Sequence, residues 1–309
     1  MTEVHNDDEA PRFDLTFSAA AGEMLQISPL VRRLVAPNPG PFTFTGTCTY
    51  VVGAGEVTVI DPGPDVPAHM DTLLKGLSGE RITKILVTHT HRDHSPAART
   101  LKQATGAEIW GCAPHFSARE LALGETNKLD AANDSDHDPD RVLSDGEFLT
   151  GPGYTIRTVA TPGHTMNHLC FELLQEKALF TGDHIMAWST TIVAPPDGAM
   201  RPYLDSLAKL RDADHALYWP GHGGPVTQPQ RFVRALLHHR RARETSILSA
   251  LDAGPRAIPA LVEKVYEKLN PKLKGAAALS TLATLEDLCV RNLVETEGAP
   301  QLTSIFRRR

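Results

Sequence analysis

Residues 88–99 read THTHRDHSPAAR and hold three histidines and one aspartate, His89, His91, Asp93 and His94, within six consecutive positions. The run before them, RITKILVT, is apolar and β-branched and reads as a strand. Residues two apart on an extended chain point the same way, so His89 and His91 are expected to face one ion together. The turn that follows swings Asp93 and His94 towards a second position. Ser95 is expected to be the N-cap, and Pro96 the first residue, of a helix that Gly106 stops. Imidazole nitrogens and carboxylate oxygens suit zinc, and also iron or manganese, whereas calcium takes oxygens alone. Arg92, between the two pairs, is expected to point away from the metals.

Such a cluster needs further ligands from other strand ends, and three segments offer them. VATPGHT delivers His164, LFTGDH delivers Asp183 and LYWPGHG delivers His222, each with a glycine just ahead that relaxes a sharp turn. Seven ligands are too many for one tetrahedral ion and fit two ions that share a bridging carboxylate. His168, four residues after His164, is a candidate to steady a ligand through a hydrogen bond or to shuttle a proton, or else an ordinary core histidine. His184 follows Asp183 directly and is expected to point away.

The chain has 309 residues, 41% of them hydrophobic and 22% charged, enough for one large domain and a smaller one. Residues 1–239 are expected to form the larger, with 1–22 loosely ordered, and 240–309 the smaller. Over the first part, GTCTYVVG, EVTVIDPG, AEIWGC, YTIRTVA, HLCFELL and KALFTG read as short strands between turns. From Pro229 the texture becomes helical. A long pattern halts at Gly254-Pro255, AIPALVEKVYEKL and AALSTLATLEDLCVRNLVE follow, and two extended pieces flank a Gly-Ala-Pro turn. Three helices and a terminal hairpin make a winged-helix arrangement. Lys and Arg exceed Asp and Glu by 14 to 8 over residues 231–309, whereas residues 1–230 carry a net −12. A basic tail on an acidic body points to an anionic partner or to solvated helix surface. The four scattered cysteines read as free thiols in a reducing compartment. The acidic start suits no secretory or transit signal, and no apolar run reaches the roughly 18 residues of a membrane span. A cytoplasmic protein without a membrane partner is expected.

The series H-x-H-x-D-H, T-P-G-H, T-G-D and G-H-G, in this order, resembles the metallo-β-lactamase superfamily. The resemblance implies an α+β fold, an αββα sandwich with the metals at one rim. It also implies His89, His91 and His164 on one metal, Asp93, His94 and His222 on the other, and Asp183 between them. Asp61 in VIDPG matches the superfamily's aspartate one strand earlier and is expected to orient a ligand or the turn. The run NPGPFTFTGTCTYVVG, the histidine cluster and the winged-helix tail together look like the β-lactamase-like endoribonuclease subfamily. Its mammalian mitochondrial member cleaves single-stranded RNA, and the subfamily suggests a homodimer.

Two cations, zinc being expected, would lower the pKa of a water shared between them from about 15.7 towards neutrality, giving a hydroxide nucleophile. Asp93 can hydrogen-bond that water, and His168 can protonate a leaving group. This is hydrolytic chemistry, and no G-x-G-x-x-G fingerprint of dinucleotide redox enzymes follows a strand. Asp183 stands where true β-lactamases place a cysteine, which argues against antibiotic hydrolysis. The basic tail, with Arg240, Arg241, Arg243, Lys272, Lys274 and Arg307 to Arg309, leans the expectation to single-stranded RNA. A glyoxalase II-like thioesterase or other ester hydrolase is the alternative, because residues 184–200 are apolar and small and, with Trp188 and Tyr203, can wall an acyl pocket. A non-catalytic winged-helix regulator ranks third, since no ligand is missing.

Overall fold

The computed structural model describes residues 10–266 and 269–309. Seven strands form a first sheet in chain order: β1 (Leu25–Gln26), β2 (Val31–Val35), β3 (Cys48–Ala54), β4 (Glu56–Ile60), β5 (Arg81–Val87), β6 (Glu108–Gly111) and β7 (Arg141–Val142). The first four are antiparallel, and β4 to β7 run parallel. Parallel neighbours need crossovers, and α1 (Pro67–Gly76) and α2 (Ala97–Thr105) provide the first two. A second sheet holds β8 (Phe148–Gly151), β9 (Tyr154–Ala160), β10 (Leu169–Leu173), β11 (Ala178–Gly182) and β12 (Leu217–Pro220). Its order is β12-β11-β10-β9-β8, antiparallel except for the pair β11–β12, which α3 (Met200–Arg211) connects.

The two sheets pack face to face. One core joins Val51, Val59 and Ile85 of the first sheet to Ile156, Phe171 and Phe180 of the second, and takes in Leu73 of α1 and Leu101 of α2. Strands buried on both faces read as continuous apolar runs, as in ILV at the end of β5. A second core lies on the other face of the second sheet, where Leu179 and Tyr218 meet Tyr203, Leu207, Val233 and Leu236. The layers are thus helix, sheet, sheet, helix, the αββα sandwich expected.

The C-terminal part comprises α4 (Pro229–Asp252), β13 (Arg256–Ala257), α5 (Ile258–Val265), α6 (Lys274–Val290), β14 (Val294–Thr296) and β15 (Ile305–Arg308). The three strands form a small sheet, β13-β15-β14, over a third core of Ile247, Leu251, Leu261, Leu285 and Phe306. The terminal hairpin was legible as two extended pieces, whereas the two-residue β13 was not. The expected boundary at 239/240 falls inside α4, whose first half belongs to the second core and whose last turns belong to the third. The second tail helix ends at Val265, and positions 267 and 268 of its expected continuation lie outside the described residues.

Two local expectations change. Pro96 already has helical dihedrals ahead of α2, but the Ser95 hydroxyl caps nothing: it donates to Asp134 Oδ2 at 2.6 Å and lies 3.3 Å from the His91 carbonyl. The buried Asp134 carboxylate, also held by Arg99, outcompetes the helix end for that hydroxyl. Gly106 does stop the helix, in a left-handed conformation with φ 74°. At the N-terminus, positions 1–9 lie outside the described residues. Residues 10–22 form irregular chain that is nevertheless docked: Asp14 N donates to Ala187 O at 2.9 Å, Phe13 packs on Phe232, and Phe17 lies under Arg33.

Candidate metal centre

All seven expected ligands converge at the rim where strand ends of the two sheets meet. His89, His91, His164 and Asp183 each offer an atom within 4.8 Å of the others', and so do Asp93, His94 and His222. In the first group His89 Nε2 and His164 Nε2 each lie 3.1 Å from His91 Nδ1. In the second, His94 Nε2 is 3.3 Å from His222 Nε2, and Asp93 Oδ2 is 3.1 Å from His222 Nε2. Asp183 faces both groups: Oδ1 lies 3.3 Å from His222 Nε2 and 3.4 Å from His94 Nε2, while Oδ2 lies 3.8 Å from His164 Nε2. Oδ1 is buried and makes no hydrogen bond of its own.

The surroundings fit a cation, because they fix which ring nitrogen each histidine presents. His94 Nδ1 is 2.9 Å from Asp61 Oδ2, His164 Nδ1 is 2.7 Å from the Ile192 carbonyl, and His222 Nδ1 is 3.3 Å from the Gly46 carbonyl. Thr88 Oγ1 donates to Asp61 Oδ2, so its lone pair takes the proton of His89 Nδ1 at 2.9 Å. Each of these four rings therefore donates outward from Nδ1 and turns a bare Nε2 inward, the arrangement typical of metal-ligating histidine. Asp61 also accepts from Thr88 N at 2.8 Å, so one buried carboxylate braces both halves of the motif, as expected.

Electrostatics separate the two groups. Burial depresses the imidazoles of His89 and His91, the latter to about 3, and their imidazole neighbours reinforce the effect. Burial alone would also depress His94 and His222, but the Asp93 and Asp183 carboxylates outweigh it and push His222 up to about 9. Burial would raise Asp183 and Asp93; the summed pull of His222 and His94 holds both well below the usual carboxylate range. Opposed charges thus hold the second group together where protons rather than cations fill it.

His168 departs from the role of proton donor. Its Nε2 accepts from the Asp183 backbone N at 3.2 Å, and Nδ1 meets Thr161 Oγ1 at 2.8 Å. Both nitrogens are engaged behind the ligand turn, with the ring buried, so His168 positions Asp183 and has no proton for a leaving group. His184 does point away, into the core beside Tyr203. Arg92 also turns outward and donates to the Asn133 carbonyl at 3.0 Å.

Several contributors were not singled out in the sequence. Thr47 donates its hydroxyl to Asp93 Oδ2 at 3.2 Å, and its own backbone is fixed by Asn38. Gly46 has φ 127°, and a Cβ there would come 2.2 Å from the Ala36 carbonyl. The signal was present in NPGPFTFTGT, where the turn glycine precedes the threonine. Residues 191–193 form a clasp over the other side of the centre. Thr191 Oγ1 donates to the Asp183 or His184 carbonyl, at 2.7 and 2.9 Å, and Ile192 O holds His164. Arg240 of α4 donates to Thr191 O, and Val193 N donates to Ser280 Oγ of α6 at 3.4 Å.

The family model of the metallo-beta-lactamase superfamily matches residues 42–222, the span that contains all seven of these side chains. The chain belongs to the metallo-beta-lactamase superfamily. A model of the beta-lactamase associated winged helix domain matches residues 257–301. Among curated superfamily members, the lactamase-like protein adaB of Aspergillus niger is 28% identical over 90% of this chain and 86% of its own length. The atrochrysone carboxyl ACP thioesterase of Aspergillus fumigatus is 32% identical over 79% of this chain and 75% of its own length. The crystal structure of a beta-lactamase domain protein from Burkholderia ambifaria superposes with a TM-score of 0.79 at 22% identity, covering 96% of this chain and 97% of that one, and shares the fold.

Proposed function

We propose that this protein is a dinuclear, metal-dependent hydrolase of thioesters or related esters, with zinc as the expected ion. The observation that carries the hydrolase reading is Asp183, whose two oxygens face two separate sets of ligands. Bound divalent cations supply Lewis acidity and an acidified water. His89, His91 and His164 would hold one ion, Asp93, His94 and His222 the other, with Asp183 between them. Of the two carboxylates among the seven, that of Asp93 is the more open, with 26% of its side chain exposed, so it is placed to accept a hydrogen bond from an attacking water. Its depressed pKa suits it to orient that water rather than to store its proton.

Two observations favour a thioester over the single-stranded RNA that the tail's charge suggested. Much of that charge is spent within the fold. Arg291 pairs with Glu244 and Asp287, Arg307 and Arg309 share Glu295, and Arg308 lies near Asp252. Arg243 is held by the Val265 carbonyl and the Tyr266 ring, and Arg240 is buried. Of the cations named from the sequence, Arg241 and Lys272 are among those left exposed. Secondly, His168 has no proton to give. A thiolate, with a parent thiol pKa of roughly 8.5, departs unassisted far more readily than an alkoxide. The thioesterase among the relatives supports the same direction.

The test is hydrolysis by zinc-loaded protein of S-lactoylglutathione, an acyl N-acetylcysteamine thioester and single-stranded RNA, each repeated with His89→Ala. Thioester cleavage that His89→Ala abolishes is the expected result. RNA cleavage with the same dependence, and no thioester turnover, would restore the nuclease reading.

A further inference from the structure

Next to the metal centre, a groove runs between the 186–192 segment and the C-terminal helices. Phe42, Met186, Trp188 and Ile192 form one side, and Tyr266, Leu273 and Ala276 the other. No metal ligand lines it, but two of its residues sit one step from the ligands. Ile192 holds His164 through its carbonyl, and Trp188 stacks on Phe44 at 4.9 Å beside Gly223, the neighbour of His222.

Three residues on this groove carry buried nitrogens that make no hydrogen bond: Trp188 Nε1, His239 Nδ1 and Arg240 Nε. Indole Nε1 and guanidinium Nε are obligate donors, and buried donors without acceptors are rare and unfavourable. The rest of the Arg240 guanidinium is committed to the Thr191 carbonyl and the Tyr203 ring. A channel lined mainly by apolar side chains, with Ser189, Thr190 and Ser280 among them and idle donors buried in its wall, does not suit a plain hydrocarbon. Nor does it suit a nucleic acid backbone, which needs several accessible cations.

We propose that this groove is the acyl half of the substrate site and takes an apolar acyl chain bearing carbonyl oxygens, an oxoacyl thioester. This deepens the hydrolase reading above and rests on it for the thioester bond. Hydrolysis adds water oxygen to the thioester carbonyl carbon, breaks the C–S bond, and releases the oxoacid and the thiol.

Two measurements test it. The first is calorimetric binding of the amide counterpart of 3-oxodecanoyl-N-acetylcysteamine, which cannot turn over, to zinc-loaded wild type and Ala276→Phe. The phenylalanine fills a half-exposed groove position, and affinity is expected to fall at least about tenfold. Equal affinity, or no binding to either, overturns the groove whatever the hydrolysis assay gives. The second compares kcat/KM for 3-oxodecanoyl and decanoyl thioesters within each preparation, so that the ratio is insensitive to the folded fraction. Trp188→Phe keeps an aromatic ring and removes the donor, and should lower the oxo-to-plain ratio by about 3- to 10-fold, the value of one hydrogen bond. An unchanged ratio removes the oxygen-reading part of the proposal. Binding of the amide without turnover of any thioester would instead sink the hydrolase reading and leave the groove standing.

Discussion

Asp61 is not among the seven expected ligands, yet it decides how two of the histidines stand. One oxygen accepts from Thr88 N, and the other from Thr88 Oγ1 and His94 Nδ1. It does so from a left-handed backbone, φ 47°, which asparagine and aspartate tolerate better than other non-glycine residues. Asp61→Ala removes the acceptor and burdens the turn, whereas Asp61→Asn keeps the shape and one accepting oxygen. Zinc affinity measured by chelator competition should fall about 10- to 100-fold in Asp61→Ala, the usual effect of losing such a partner, and less in Asp61→Asn. Wild-type affinity in both would mean that His94 needs no brace. At this scale the ligands were legible because side-chain chemistry and spacing are written in the chain. For His168 the sequence left ligand support and proton transfer both open, since the choice depends on a backbone N–H fifteen residues away that faces its ring only after folding.

The loop between β11 and α3 leaves the metal centre at Asp183 and doubles back over it through Thr191 and Ile192. Thr191→Val keeps the volume but strands the Asp183 and His184 carbonyls that the hydroxyl serves. One buried hydrogen bond of this kind is worth about 1–2 kcal/mol, so thermal unfolding of a chain this long should shift down by about 1.5–3 °C. Zinc retained after dialysis should fall as well, because Asp183 is no longer held from behind. A lowered melting temperature with full zinc retention would separate the clasp from the ligand. This loop shows why some elements were legible and others not. The RITKILV strand, its histidine turn and the tail helices declare themselves by local periodicity and punctuation. The clasp, the α1 helix and the short edge strands β1, β7 and β8 carry weak local signals and are held by distant contacts. The pairing of the tail cations was not legible for the same reason. The carboxylates that absorb them, Glu244, Asp287 and Glu295, are brought alongside only when three helices and a hairpin pack.

Across the whole molecule, buried histidines give stability a pH profile that metal binding should reshape. Burial depresses His184 to about 3 and, with Arg240 and Arg243 nearby, His239 to about 4. Both fold as neutral rings, while the unfolded chain titrates near about 6.5. Below that pH the unfolded state binds the proton first, so their contribution, whole above about 6.5, is lost as pH falls towards 4 and 3. His222 runs the other way. Burial would lower it, but the Asp183 and Asp93 carboxylates raise it to about 9. Its contribution is whole below about 6.5 and is lost as pH rises through 9, when the two carboxylates are left facing neutral rings. Metal-free protein should therefore be most stable near pH 6.5 and less stable towards both pH 5 and pH 9. Zinc should abolish the alkaline loss, because a cation at Nε2 replaces the proton that high pH removes. The acid loss should remain and steepen, since protons then compete for the ligand nitrogens as well. Denaturant melts of chelator-treated and zinc-loaded protein at pH 5, 6.5 and 9 read both limbs. Metal-free stability that climbs from pH 6.5 to 9 would show that the carboxylates do not hold a proton on His222, and that the second ligand group is not kept together by charge.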